Sequence, residues 1–175
     1  HVPPPQGVPD AHMPTGHYFT PREVTDHITG TTQAERMQAA IERFAGMATV
    51  KVDLLLVTHA HVDHIGDAPA LAKLHKTVLY GPADMITPLI TLGVVPAELT
   101  HRFNKSGTVK PLSGIKVTAV QAEHSSLLVW KNPATEKLES HPAGEAVGYI
   151  IELENGFKIW HMGDTGLFGD MKFIS

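Results

Sequence analysis

The run of residues 58–67 carries four side chains of the types that bind divalent cations, all within six consecutive positions. Their order is His-x-His-x-Asp-His, and they are His59, His61, Asp63 and His64. Zinc binds imidazole nitrogens and carboxylate oxygens at about 2.0–2.2 Å. An ordinary polar turn after the apolar run at residues 52–57 is the alternative, but it has no need of three histidines. We therefore predict a metal site at this turn.

Two later segments repeat the arrangement of a predicted strand followed by a ligand-type side chain. Residues 115–122 lead to His124, and residues 157–162 lead to Asp164 in the run Gly-Asp-Thr-Gly. Loops at strand ends commonly carry functional sites. If the three strands lie side by side, their ends bring both residues to the first cluster. The alternatives are a hydrogen-bonded loop histidine and an aspartate that only shapes a turn beside glycines.

Several polar residues near these three segments admit more than one role. Asp67 suits the cap of the following helix better than a ligand position. His161 suits a structural role or contact with a ligand residue better than a direct role in the site. Ser125 and Ser126 either contact a ligand residue or lie in solvent. Residues 127–142 are either a lid over the site or a surface insertion.

The elements that position these residues follow from the hydrophobic pattern. It predicts an irregular arm at residues 1–30 and one α/β domain at residues 31–175. Helices are predicted at residues 32–46, 67–75 and 82–92. Strands are predicted at residues 51–58, 77–81, 102–104, 108–112, 115–122, 147–153 and 157–162. Hairpin turns are predicted at residues 113–114 and 154–156, and a polar loop at residues 123–145.

The composition excludes several classes of protein. The 175 residues are 42% hydrophobic, which fits one globular domain, and no apolar run approaches the length of a membrane span. A net charge of −4 predicts no nucleic-acid partner. Without cysteines, any metal site must use His, Asp or Glu. We expect a soluble protein with a small-molecule substrate; cytoplasm and periplasm both remain open, as does the oligomeric state.

Three pieces of the sequence resemble the metallo-β-lactamase-fold hydrolases. They are Thr-His-Ala-His-Val-Asp-His-Ile-Gly-Asp, Ala-Glu-His-Ser-Ser and His-Met-Gly-Asp-Thr-Gly-Leu-Phe-Gly-Asp-Met. The last piece, together with Ser-Gly-Ile-Lys-Val-Thr-Ala-Val, resembles the branch related to the ascorbate-6-phosphate lactonases. The resemblance covers about residues 50–175. It implies the αββα layered sandwich of that family.

The resemblance also implies a ligand set for two adjacent metal ions. The first ion would be held by three histidines, His59, His61 and His124. Asp63 and His64 would hold the second ion, and Asp164 would bridge both. Zinc is the implied metal, one ion or two, with manganese or iron(II) as alternatives for such a ligand set. Asp63 is in addition the candidate catalytic residue, which would orient water or move a proton.

The function implied is a zinc-dependent hydrolase that uses a metal-bound hydroxide on a small ester, lactone or amide. Two alternatives stay open: a metal-dependent phosphodiesterase or nuclease, and a metal-binding protein without turnover. The chain departs from the family in two respects. No Gly-His-x-Ser/Thr-like opening strands precede residue 51, and no histidine follows Asp164. We therefore expect an incomplete sandwich that binds the first metal better than the second.

Overall fold

The structure is a computed structural model of the chain, and it describes residues 51–174. The arm predicted at residues 1–30 and the helix predicted at residues 32–46 lie outside the described residues. Among those described, no helix is long and apolar enough to cross a membrane.

Three short strands near the start of the described region form a parallel sheet in the order β1-β2-β3. The strands are β1 (Leu55–Leu56), β2 (Leu79–Gly81) and β3 (Thr100–Arg102). The helices between them are α1 (Val62–Ile65), α2 (Ala68–His75) and α3 (Ala83–Thr91). The sequence predicted α2 and α3 but not α1. The strand predicted at residues 102–104 begins two residues earlier, after a 3₁₀ turn at Ala97–Leu99.

A second sheet is antiparallel, in the order β4-β5-β8-β9. Its strands are β4 (Thr108–Leu112), β5 (Ile115–Gln121), β8 (Val147–Glu152) and β9 (Lys158–His161). Both predicted hairpin turns are present, and each places a glycine at positive φ, 75° at Gly114 and 80° at Gly156. After β9 the chain forms a loop and then a 3₁₀ turn at Gly169–Phe173.

The polar loop predicted at residues 123–145 was wrong over most of its length. Strands β6 (Leu127–Lys131) and β7 (Leu138–Pro142) pair there as an antiparallel hairpin. The inward side chains of β6 are Leu128 and Trp130, 0% and 7% exposed, and they join the apolar core. The prediction failed because β7 is largely polar, so its strand character comes from its pairing with β6.

The apolar core consists of two clusters that both contact the chain around β1. Leu55 and Val57 pack into the cluster that contains the helices and β6. Leu54 and Leu56 pack against the cluster beneath the antiparallel sheet, whose largest fully buried side chain is Tyr149. Residues 54–57 therefore contact the core on both faces of the chain, which accounts for their unbroken apolar character. The parallel ladder itself, however, pairs only two of them.

Candidate metal centre

The His-rich turn is shaped by its own backbone hydrogen bonds. After β1, the amide of Val57 donates to the carbonyl of Tyr80 at 3.0 Å. The amides of His64 and Ile65 then donate to the carbonyl of His61 at 2.9 and 3.0 Å, which starts α1. The side chain of Ile65 is fully buried and anchors this short helix in the core. The turn therefore holds its polar side chains on a backbone fixed at both ends.

Strand β8 brings the other two predicted ligand segments to this turn. The amide of Val147, at the start of β8, donates to the carbonyl of Thr58 at 3.0 Å. On one side of β8, the end of β5 pairs with Val147 and leads to His124. On the other side, β9 ends at His161 opposite β8 and leads to Asp164. The antiparallel sheet thus delivers His124 and Asp164 to the end of β1.

Three imidazole nitrogens converge at the centre of this arrangement. Nδ1 of His61 lies 3.1 Å from Nε2 of His59 and 3.2 Å from Nε2 of His124. A tetrahedral cation about 2.0–2.1 Å from each nitrogen would space the nitrogens about 3.3 Å apart. Three lone pairs so close together repel one another unless protons or a cation lie between them. The donor set and its spacing therefore fit a zinc-type ion.

The environment of His59 keeps its ring neutral at physiological pH. Its side chain is fully buried. Burial, together with the neighbouring rings of His64 and His61, lowers the pKa of His59 to about 4. Only a neutral imidazole can donate a lone pair to a metal. Nδ1 of His59 shares a hydrogen bond with the hydroxyl of Thr58 at 3.0 Å, on the side away from His61.

A second group of potential ligands overlaps the first. It consists of His59, His64 and Asp164, whose donor atoms all lie within 4.8 Å of one another. Oδ2 of Asp164 lies 3.3 Å from Nε2 of His64 and 3.8 Å from Nε2 of His124. This carboxylate therefore lies between the two groups, where a bridging ligand would lie.

Asp63 is the one predicted ligand that neither group contains. Its Oδ2 lies 3.5 Å from Nε2 of His64, the same nitrogen that faces Asp164. Its side chain is 69% exposed. Asp63 therefore lies at the solvent side of the second group, within reach of His64 but away from the three converging nitrogens.

Hydroxyl groups tie the loops of the centre together. The hydroxyl of Ser126 accepts from the amide of Ala60 at 3.2 Å and donates to the carbonyl of Ala143 at 3.3 Å. The hydroxyl of Thr165 accepts from the amide of Glu123 at 2.8 Å. Sequence reasoning missed Thr165, although its place in Gly-Asp-Thr-Gly, one residue after Asp164, is a signal that could have found it.

Three further predictions from the sequence can be compared with the contacts. His161 accepts a hydrogen bond at Nδ1 from the amide of Gly163 at 3.2 Å, which is a structural role. Asp67 occupies the N-cap position of α2, but its side chain makes no capping hydrogen bond. Residues 127–142 are a hairpin whose inner side chains, Leu128 and Trp130, belong to the core, and its role as a lid stays a prediction.

The sequence matches a family model over the whole described region and beyond it. Residues 22–174 match the model described as the Beta-lactamase superfamily domain. Over 124 residues the chain is 83% identical to a protein of Polynucleobacter asymbioticus named UPF0173 metal-dependent hydrolase. That alignment covers 71% of this chain and 44% of the relative.

Two solved structures with the same fold match over about the same share of this chain. Igni18, described as a novel metallo hydrolase from Ignicoccus hospitalis, matches with a TM-score of 0.55 and 30% identity, over 71% of this chain and 47% of that one. Zn²⁺-bound PqqB from Methylobacterium extorquens matches in fold alone, with a TM-score of 0.52 and 19% identity, over 70% of this chain and 42% of that one. The chain thus spans less than half the length of these proteins.

Proposed function

The chain belongs to the β-lactamase superfamily, and from this premise we propose that it binds zinc and hydrolyses a small ester, lactone or amide. The observation that carries the proposal is the convergence of Nε2 of His59, Nδ1 of His61 and Nε2 of His124. The names of its relatives, which are metal-dependent hydrolases, support the same class of activity.

Each residue of the centre has a role in this proposal. A bound divalent cation lowers the pKa of water and stabilises negative charge on a carbonyl oxygen. The three converging histidines hold the first ion, and His64 and Asp164 hold the second. Asp63 is exposed beside His64, where its carboxylate can orient water or accept a proton. The first ion binds more tightly, because its ligands lie closer together and include the fully buried His59.

The charges around the centre favour a small substrate over a nucleic acid. The exposed charged residues that flank the ligand turns are acidic, Asp63 beside His64 and Glu123 beside His124. A phosphate backbone is bound by clustered lysine and arginine. We therefore place a neutral ester, lactone or amide ahead of a phosphodiester as the substrate class.

The proposal is tested by metal analysis followed by a substrate panel. The purified chain is loaded with zinc, and its metal content is measured by emission spectroscopy. Chromogenic ester, lactone, anilide and bis-phosphate substrates are then offered. We expect ester, lactone or amide turnover that is lost in His61→Ala. Turnover of the bis-phosphate alone would favour a phosphodiesterase, and zinc binding without turnover would favour a binding protein.

A matched histidine outside the centre provides the control. His101 is exposed on β3, its ring lies 4.9 Å from that of Tyr80, and it belongs to neither ligand group. His101→Ala should keep both zinc content and turnover. Equal losses in His61→Ala and His101→Ala would show that the activity does not come from the centre.

A further inference from the structure

Thr58 contacts the His-rich turn, the start of β8 and the glycine that precedes Asp164. It is 5% exposed and precedes His59 directly. Its carbonyl accepts the amide of Val147 at 3.0 Å, and its hydroxyl lies 3.0 Å from Nδ1 of His59. Its Cγ2 methyl lies 3.1 Å from the position that a Cβ on Gly163, the residue before Asp164, would take. No other side chain of the strand end combines these contacts with such deep burial.

The hydrogen bond of Thr58 bears on which nitrogen of His59 is free. A neutral imidazole carries one proton, so a proton on Nδ1 leaves the lone pair on Nε2. Nε2 of His59 is the atom that faces Nδ1 of His61 in the converging group. Because His59 is fully buried, water cannot replace the hydroxyl as the partner of Nδ1. The tautomer of His59 therefore depends on its protein partner, Thr58, and not on solvent.

We infer that Thr58 is a positioning residue whose hydroxyl accepts the Nδ1 proton of His59 and so keeps Nε2 unprotonated and directed at the cation. This inference rests on the proposed function, since it takes His59 to be a metal ligand. His59 belongs to both ligand groups, so its ring orientation affects both. A group that hydrogen-bonds to the ring nitrogen that does not bind the metal typically contributes about 10–100-fold to metal affinity.

Ser125 offers a contrast within the same centre. Its hydroxyl lies 3.3 Å from Nε2 of His61, the nitrogen opposite the one that faces the other rings. Ser125 is exposed, whereas Thr58 is buried. Water can take the place of the serine hydroxyl, so its loss costs less affinity than the loss of the threonine hydroxyl.

Two variants separate the effect of the Thr58 hydroxyl on zinc affinity from the effect of the side-chain shape. Thr58→Val keeps the shape and removes the hydroxyl, and Thr58→Ser keeps the hydroxyl and removes the methyl. Zinc dissociation constants are measured by competition with a chromogenic chelator. We expect Thr58→Val to bind zinc about 10–100-fold more weakly, and Thr58→Ser and Ser125→Ala to change affinity by less than about tenfold. Equal affinity of Thr58→Val and the wild type, or equal losses in Thr58→Val and Thr58→Ser, would overturn the inference.

A tautomer measurement on the metal-free protein tests the inference independently of turnover. Two-bond ¹⁵N–¹H correlations of ¹⁵N-histidine-labelled protein show which nitrogen of His59 carries the proton. We expect Nδ1 in the wild type and in Thr58→Ser, and a shift towards Nε2 in Thr58→Val. A proton on Nε2 in the wild type would overturn the inference even if the valine variant did not fold. If the wild type carries the proton on Nδ1 but binds no zinc, the proposed function fails and with it the positioning role, while the hydrogen bond from His59 to Thr58 stands.

Discussion

At the scale of single residues, His59 is the centre of the candidate site. It is fully buried, and it is the only residue that the two ligand groups among residues 51–174 share. His124 belongs to the first group alone and is exposed. The two histidines therefore differ in what their removal should do, although both follow a strand and both present Nε2 to His61.

We predict different zinc stoichiometries for two alanine variants. His59→Ala should weaken binding of the first ion by more than about 100-fold, since loss of a ligand exceeds the loss of a partner behind it. It also leaves each of the two groups with only two ligands, so neither should bind an ion tightly. His124→Ala should remove the first ion and leave the group of His64 and Asp164 with His59. Isothermal titration of the wild type should show two unequal sites, and His124→Ala should show one. Identical isotherms for the two variants would contradict the shared role of His59.

Tyr149 connects the two sheets by a buried hydrogen bond that should make stability sensitive to alkali. Its hydroxyl donates to the carbonyl of Val57 at 2.6 Å, and burial raises the pKa of Tyr149 above its ordinary value of 10.0. Above pH 10 the folded chain keeps this proton while the unfolded chain releases it. The free energy of unfolding therefore falls as pH rises, by up to about 1.4 kcal/mol per pH unit.

Tyr149→Phe tests this contribution. At pH 7 the variant should lose about 1–3 kcal/mol, because the carbonyl of Val57 loses its donor. Above pH 10 the difference in unfolding free energy between wild type and variant should shrink. Urea unfolding at both pH values measures it, and groups common to both proteins cancel in the difference. A difference that stays constant from pH 7 to 11 would contradict the assignment.

At the scale of elements, the β6–β7 hairpin is the largest departure from what the sequence predicts. It follows His124 directly, and Ser126 at its start holds the amide of Ala60 within the His-rich turn. Its strand β6 alternates between core and solvent, with Leu128 fully buried and Leu127 43% exposed. Leu128 and Trp130 share a core cluster with Ala60 and Ile65, so the hairpin stabilises the metal turn through packing that the polar sequence of β7 does not predict.

Two neighbouring leucines of this hairpin form a matched pair for a stability test. Leu128→Ala should lower the free energy of unfolding by about 2–5 kcal/mol, because it leaves a cavity in the core. Leu127→Ala removes the same atoms from a side chain that is already 43% exposed and should cost much less. Chemical denaturation of both variants measures the difference. Similar losses would show that β6 does not pack as described.

At the scale of the whole described region, the site lies where the parallel and antiparallel sheets meet. Gly163 shows how close they come: at φ 65°, a Cβ there would lie 3.0 Å from the carbonyl oxygen of Val147 and 3.1 Å from Cβ of Thr58. Structural neighbours confirm the predicted α/β class and the metallo-β-lactamase fold. The sheets are thus joined at the residues that carry Asp164 into the centre.

Gly163→Ala should separate the sheets locally and displace Asp164. Strain at positive φ and contact with backbone atoms both oppose the new methyl group. We expect the affinity of the second zinc site to fall by at least about tenfold, because Asp164, one of its ligands, is displaced. Gly169→Ala is the control, because a Cβ there meets nothing within 4 Å. Titration and thermal unfolding of both variants measure the effect, and unchanged binding in Gly163→Ala would contradict it.

Local order along the chain is enough to predict three features: the ligand types at residues 58–67, the hairpin turns at Gly114 and Gly156, and the apolar run of β1. These follow from side-chain chemistry and from the φ angles that glycine permits. Three other features emerge only from the folded chain: which ring nitrogens converge, the place of Asp63 outside both ligand groups, and the entry of Leu128 and Trp130 into the core. Those outcomes depend on contacts between distant segments, such as the 66 positions that separate Ala60 from Ser126. No local pattern carries that information, because such contacts form only when the two sheets pack together.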